Sequence, residues 1–241
     1  MSRLLSVMFT DVRVQIRNNL YTVGIGVSLI IAVGLSQLAN PLQLFSVVPA
    51  LILIVVGATT MLYVAGLIIF EKEEGTLNAT IVSPVTTVEY LTSKVITLTS
   101  LATLETLVMI GGALFIMSVS SEVNLPNIPI LLFGVITIGV LYTLIGVILV
   151  VRYNKISDYL IPMALVISSL QLPFVHFWGV VEHSGFLFIP TSAPTILMQG
   201  AFINLTTWQW LYGLGYSAIS ILCLAFWASL AFNTHIIKKV G

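Results

Sequence analysis

Residues 71–94 read EKEEGTLNATIVSPVTTVEYLTSK. The segment holds six of the eighteen formally charged side chains, nine basic and nine acidic, in a chain of 241 residues that is 58% hydrophobic and only 7% charged. A soluble domain carries about 25% charged residues. So few charges cannot cover a water-facing surface, which places the surface against lipid. The runs that flank the segment agree. Asn18 to Phe70 contains no charged residue, and Val95 to Ser118 contains one acid, Glu105. The chain reads as an all-α integral membrane protein in a single transmembrane domain over 1–241.

A bilayer core takes about 20 apolar residues per helix. This predicts spans near 20–37, 44–70, 95–118, 129–151 and 159–175, the last extending as far as Val181, and a sixth after residue 207. Asn40-Pro41 breaks the chain between the first two. The second is long and either begins outside the hydrocarbon or breaks at Pro49. With six spans, the basic residues Arg3, Arg13, Arg17, Lys72, Lys94, Arg152, Lys155, Lys238 and Lys239 all fall on one side. Basic loops stay cytoplasmic, so both termini and segments 71–94 and 152–158 are expected inside.

Residues 183–207, HSGFLFIPTSAPTILMQGAFINLTT, must then begin and end outside. They are too apolar for a free loop, and Pro190 and Pro194 forbid one continuous helix. They read as an outer re-entrant hairpin before the last span; an outer loop lying on the headgroups is the alternative. At the other end, Leu4, Leu5, Met8, Phe9, Val12 and Ile16 recur at helical spacing, with three arginines on other faces. Residues 1–19 therefore read as an amphipathic helix in the inner interface rather than an extension of the first span.

Several chemistries are excluded. No GxxxxGK[ST], HExxH or GxSxG motif occurs. His176, His183 and His235 are scattered, and the single Cys223 allows neither an internal disulfide nor a thiolate cluster. No catalytic and no metal-ligating residues are assigned, and nothing suggests nucleic acid. The work must be driven by a gradient or by a partner.

Within the opening segment, the second span emerges into water at Glu71, Lys72, Glu73 and Glu74, and Gly75 permits a bend. Ser83-Pro84 reads as an N-cap with proline at the first helical position, leading a short helix into the third span. Thr86-x-x-Glu89 offers an alternative capping box. The result is a stiff charged elbow near the membrane, or an ordinary solvated loop. Its sequence resembles the signature of the ABC-2 type permeases, the membrane subunits of one class of ABC exporter. Their pattern is roughly E-[RK]-E-x-G-T-[LM], then [ST]-P, then E-[YF]-[LI] and a lysine. Here the corresponding residues are Glu71, Lys72, Glu73, Glu74, Gly75, Thr76 and Leu77, then Ser83 and Pro84, then Glu89, Tyr90, Leu91 and Lys94. The layout of the rest is similar, and small members with this look include permeases of multidrug and fluoroquinolone exporters.

The resemblance implies a half-transporter without an ATPase site of its own. It would pair with a second membrane subunit, alike or different, and with separate ABC ATPase subunits that carry ATP and Mg. Glu71 to Thr76 would contact the ATPase, Ser83 to Lys94 would lead back into the membrane, and Arg152, Lys155 and Asp158 would form a second, lesser contact. The cargo would be hydrophobic or amphipathic, a drug or a lipid. A passive channel, or a non-transporting anchor for a soluble partner, is the alternative function.

Glu105 lies eleven residues after Lys94, roughly 16 Å along the helix and near mid-bilayer. It is either a contact in the translocation path or a hydrogen-bonded acid against a neighbouring helix. Thr92, Thr99, Thr103 and Thr106 form a stripe on another face of the same helix, and Thr99, Thr103 and Thr106 are further path candidates. Trp178, Trp208, Trp210 and Tyr212 read as interface anchors. Pro162 and Pro173 read as kinks, and Gly111, Gly112, Gly134, Gly139, Gly146, Gly213 and Gly215 as sites of close helix approach.

Overall fold

A computed structural model describes residues 3–38, 44–119, 125–181 and 183–237. Among these, all regular structure is helical. In chain order the helices are α1 (Arg3–Arg17), α2 (Leu20–Leu38), α3 (Leu44–Glu73), α4 (Thr76–Ile81), α5 (Thr87–Ser118), α6 (Ile128–Val150), α7 (Ile156–Gln171), α8 (Pro173–Phe177), α9 (Ser192–Gln199) and α10 (Thr207–Phe232). A 3-10 turn, Ser184–Phe188, precedes α9, and a π-helical turn, Asn233–Ile237, follows α10. Six stretches are long and apolar enough to span a membrane: Leu20–Gln37, Ser46–Glu73, Thr87–Ser118, Ile128–Val150, Ile156–Phe177 and Thr207–Ile237. The number expected from the charge-free runs is therefore met, and the chain is a multi-pass membrane protein. The expected break at Asn40-Pro41 and the basic pair Lys238-Lys239 lie outside the described residues.

Helices α3 and α6 form the centre, while most of α2, α7 and α10 is exposed at the rim. α6 is apolar all round, as a helix enclosed by protein must be. It packs on α3, α5, α9 and α10. Three of its residues lack a side chain where those neighbours come closest. Gly134 faces Met198 and Pro194 of α9, Gly139 lies against Thr99 of α5, and Gly146 lies against Val64 of α3. Gly213 of α10 similarly faces Leu197, and Gly112 meets Ala32. Gly111 and Gly215 face open space, so the expectation of close approach fails at those two.

The prolines are accommodated in three ways. Pro49 lies inside α3, which runs unbroken from Leu44 to Glu73. α7 continues through Pro162, and the interruption falls at Leu172, with Pro173 opening α8. Pro194 sits in the first turn of α9, where its missing N–H costs no intrahelical bond. All eight residues of α9 are buried, enclosed by α3, α6 and α10. Its approach is held by hydroxyls: Thr191 donates to the Leu170 carbonyl (2.6 Å) and Ser192 to that of Phe186 (2.6 Å). Tyr212 donates to Leu187 (2.5 Å) and Tyr216 to Phe188 (2.5 Å).

The opening segment folds differently in detail from the sequence reading. α3 ends where Gly75 takes the left-handed conformation (φ 72). The elbow helix, α4, follows at once instead of after Ser83-Pro84. Ser83 is not an N-cap: it sits in the turn and donates to the Thr80 carbonyl (2.6 Å). Thr86 is the N-cap of α5, in a capping box with Glu89. The third span thus begins at Thr87, and Lys94 lies two turns inside it.

Candidate functional site

The site is built at the end of the bundle where the charges gather. Helix α1 lies along the elbow. Arg3 donates to the Pro84 carbonyl (2.9 Å) at one end, and Arg17 pairs with Glu74 (3.6 Å) at the other. The amphipathic pattern of α1 is satisfied in an unusual sense. Its apolar side chains Leu5, Phe9 and Ile16 are exposed, where lipid can meet them, while Asp11 and Gln15 are buried. These two face α5, the partner of α1. Gln15 donates to Thr97 (3.0 Å).

Asp11 leads to the central feature. The Lys94 ammonium, 1% exposed, donates to Asp11 (2.6 Å) and to Glu71. Ser93 donates to the second Asp11 oxygen (2.5 Å), and Tyr90 to the second Glu71 oxygen (2.6 Å). Lys94 also lies 5.1 Å from the Tyr90 ring centre. One ammonium therefore links α1, α3 and α5, and every carboxylate oxygen in the group accepts a bond. A buried pair of this kind is tolerable only with such complete pairing.

The next residue turns the other way. Lys72 donates to the carbonyls of Val150 (3.3 Å), Val151 (3.1 Å) and Tyr153 (2.6 Å). These carbonyls lie at and just beyond the C-terminus of α6, where a cation is favoured by the helix dipole. At the start of α5, Thr87 donates to Asn233 (3.0 Å), and Tyr90 packs on Phe232 at 5.0 Å. The elbow region thus touches α1, α6 and the end of α10.

These contacts divide the residues singled out from sequence. Glu73, Glu74, Gly75 and Thr76 are exposed, and so is Pro84; Ser83 and Glu89 are half-buried. Glu71, Lys72 and Lys94 are occupied inside the protein. The bonds just described engage them within the chain, with Lys94 buried and Glu71 and Lys72 half-buried. Arg152, Lys155 and Asp158 are exposed on the loop after α6 and the first turn of α7. Sequence reasoning did not single out Asp11 or Gln15. The available signal was one acid and one amide, one turn apart, on a helix whose other charges are arginines.

Glu105 lies deeper and is 2% exposed. It accepts from Tyr63 (2.8 Å) and Thr59 (3.0 Å), both on α3, and its carboxylate abuts Gly24 of α2. Of the two readings open from sequence, this is the geometry of the hydrogen-bonded acid. The threonines are elsewhere on α5, as the helical spacing requires. Thr99 and Thr103 line a groove of about 490 Å3 with Ser100, Leu104 and Ile136. The Thr99 hydroxyl is buried without a partner, while Thr103 and Thr106 donate to Thr99 (2.8 Å) and Ala102 (2.9 Å) carbonyls.

Six apolar spans packed about α3 and α6, with a cluster of paired charges joining α1, α3 and α5 at one end, define a multi-pass membrane protein. Residues 2–240 match the profile of the fluoroquinolones export permease protein family, and the chain belongs to that family. It is similar to the fluoroquinolones export permease protein of Mycobacterium tuberculosis in strains CDC 1551 / Oshkosh and ATCC 25618 / H37Rv. Each is 25% identical over 185 residues, covering 74% of this chain and 73% of the relative. At the level of the family, the protein is a membrane export permease, a transporter component rather than an enzyme.

Proposed function

We propose that this chain is the membrane subunit of an ATP-driven ABC exporter, working as a pair of membrane subunits with separate ATPase subunits that bind ATP and Mg. The observation that carries the reading is the elbow. α4 is set by a left-handed glycine at one end and by a capping box on the following helix at the other, and the elbow presents Glu73 at the end of α3, Glu74 in the turn and Thr76 of α4 outward. Val82, 81% exposed, and Val88 add apolar surface beside them. Exposed apolar groups amid charge suit a protein partner. Arg152, Lys155 and Asp158 would form the second contact.

The orientation follows from charge. Basic loops stay cytoplasmic, which supports placing the junction end and both termini on the cytoplasmic side of the cell membrane. The buried α9 then approaches from the outer side as a re-entrant element, tolerated because protein encloses its backbone, and α1 lies in the inner interface. Two states of the bundle would differ in which side is open, and ATP would bias them through the elbow. Thr99 and Thr103, in their groove, are the path candidates the geometry favours. Glu105 is a brace between α2, α3 and α5. The substrate class is amphipathic drugs of the kind named for the relatives.

The test is reconstitution. The chain is co-expressed with a candidate ABC ATPase drawn from the genes that flank its own and purified through a tag on the ATPase. ATP-dependent movement of ciprofloxacin is then followed in proteoliposomes. Co-purification with transport supports the reading. Stable co-purification with no ATP-dependent transport of ciprofloxacin or of labelled lipid would favour the anchor, and ATP-independent flux would favour the channel.

A further inference from the structure

We infer that Glu71 and Lys72 are positioning residues that fasten the elbow to both halves of the bundle, Glu71 through Lys94 to Asp11 on α1, and Lys72 directly to the end of α6. The inference rests on the coupling reading above and deepens it. Displacement of the elbow is thereby delivered to α1, α5 and the α6–α7 loop together, instead of passing along α3 alone.

The geometry requires two directions of attachment. Neighbouring residues on a helix point about 100° apart. At the last turn of α3, Glu71 therefore meets α5 while Lys72 meets the end of α6. Neither attachment is a solvated surface pair. Lys94 is 1% exposed and Asp11 is 4% exposed, and the carbonyls held by Lys72 end the central helix of the bundle.

Stability alone does not account for the arrangement. A buried ion pair is often no better than apolar side chains of equal volume. What it adds is a single allowed geometry, because each charge is uncompensated if the partners slide apart. One ammonium between carboxylates on two helices fixes both helices to a third. α1 is then attached to the elbow at three places along its length: Arg3 to Pro84, Asp11 through Lys94 to Glu71, and Arg17 to Glu74. Only the middle one is buried. It decides whether α1 moves with the elbow or slides past it.

The test reads the attachment directly and separately from transport. Cysteines replace Arg17 and Glu74 in a Cys223→Ser chain, and disulfide formation is timed in membranes. With the triad intact the pair closes rapidly. Lys94→Met slows closure by about tenfold or more, since it leaves two buried carboxylates without their cation. Lys94→Arg stays closer to the parent. Glu71→Gln, which keeps the Asp11–Lys94 pair, gives a milder loss and serves if Lys94→Met does not reach the membrane. Unchanged closure in both Lys94→Met and Glu71→Gln overturns the attachment.

The second arm uses the complex with its ATPase. Lys94→Met and, separately, Lys72→Met should hydrolyse ATP at near-parent rates while moving less ciprofloxacin per ATP. Slowed closure with an unchanged ratio of transport to hydrolysis overturns the transmitting role. If the parent complex itself moves no ciprofloxacin, the transport reading fails, and the closure rates still decide whether the attachment exists.

Discussion

Replacing Gly24 with alanine drives a methyl group into the carboxylate of Glu105. That carboxylate has little freedom to retreat. It is 2% exposed and holds the hydroxyls of Tyr63 and Thr59. Moving it breaks one or both bonds, and overpacking of this kind costs about 1–3 kcal/mol. Alanine is itself a better helix former than glycine by about 1 kcal/mol, which offsets part of the loss. Glu105→Ala alone leaves the Tyr63 hydroxyl without its acceptor, at about 1–3 kcal/mol, while Thr59 keeps the Val56 carbonyl. It also empties the space the new methyl would need. In the Glu105→Ala background the steric term for Gly24→Ala therefore vanishes, and the substitution becomes neutral or stabilising. The expected coupling is about 1–3 kcal/mol, or roughly 2–12 °C of melting temperature for a chain of this size. Glu105→Gln keeps the bulk, so Gly24→Ala should cost nearly as much there as in the parent. The assay is thermal unfolding of the four combinations in detergent, followed by loss of the monodisperse chromatography peak. Additivity within about 0.5 kcal/mol would refute the brace.

Other perturbations test the junction and the buried helix. Gly75→Ala forces a side chain onto a residue at φ 72 and should destabilise by roughly 1–2 kcal/mol. In the complex it should lower ciprofloxacin moved per ATP hydrolysed. Lys72→Met leaves three carbonyls at the end of α6 without their cation. Amide hydrogen exchange over residues 150–155 should rise, with little change in α2. Gly134→Leu places a branched side chain where Met198 and the Pro194 carbonyl lie. It should push α9 outward and make a cysteine at Thr195 reactive to an outside maleimide, which it is not in the parent. Thr86→Ala removes the capping box of α5 at a cost of about 1 kcal/mol, read as a lower melting temperature.

Charge and apolarity made the span count legible, because lipid excludes charge along whole stretches of chain. The excess of arginine and lysine at one end was equally plain. Local packing was harder to read. Lys94 looked like the last residue of a loop, since a lysine in a span is costly, yet its cost is met by Asp11, 83 positions away. No spacing rule connects residues so distant. Ser83-Pro84 carried a strong cap signal, but Thr86 and Glu89 form the cap of α5 because they complete a reciprocal pair of bonds. Pro194 looked like a breaker and fits a helix start. For Glu105, spacing gave its face of the helix, but not its partners Tyr63, Thr59 and Gly24 on two other helices.

Helix α9 also imposes an order on biogenesis. Its eight residues are covered by α3, α6 and α10, and α10 is the last of these to leave the ribosome. Until it arrives, the polar side chains of Ser192, Thr195 and Gln199 have no enclosed place to go, and Leu197 lacks the glycine notch of α10 into which it fits. The segment must wait at the membrane surface while the final helix inserts, and only then be drawn inward. The end of the bundle opposite the charged junction is therefore completed after translation of its spans, not during it.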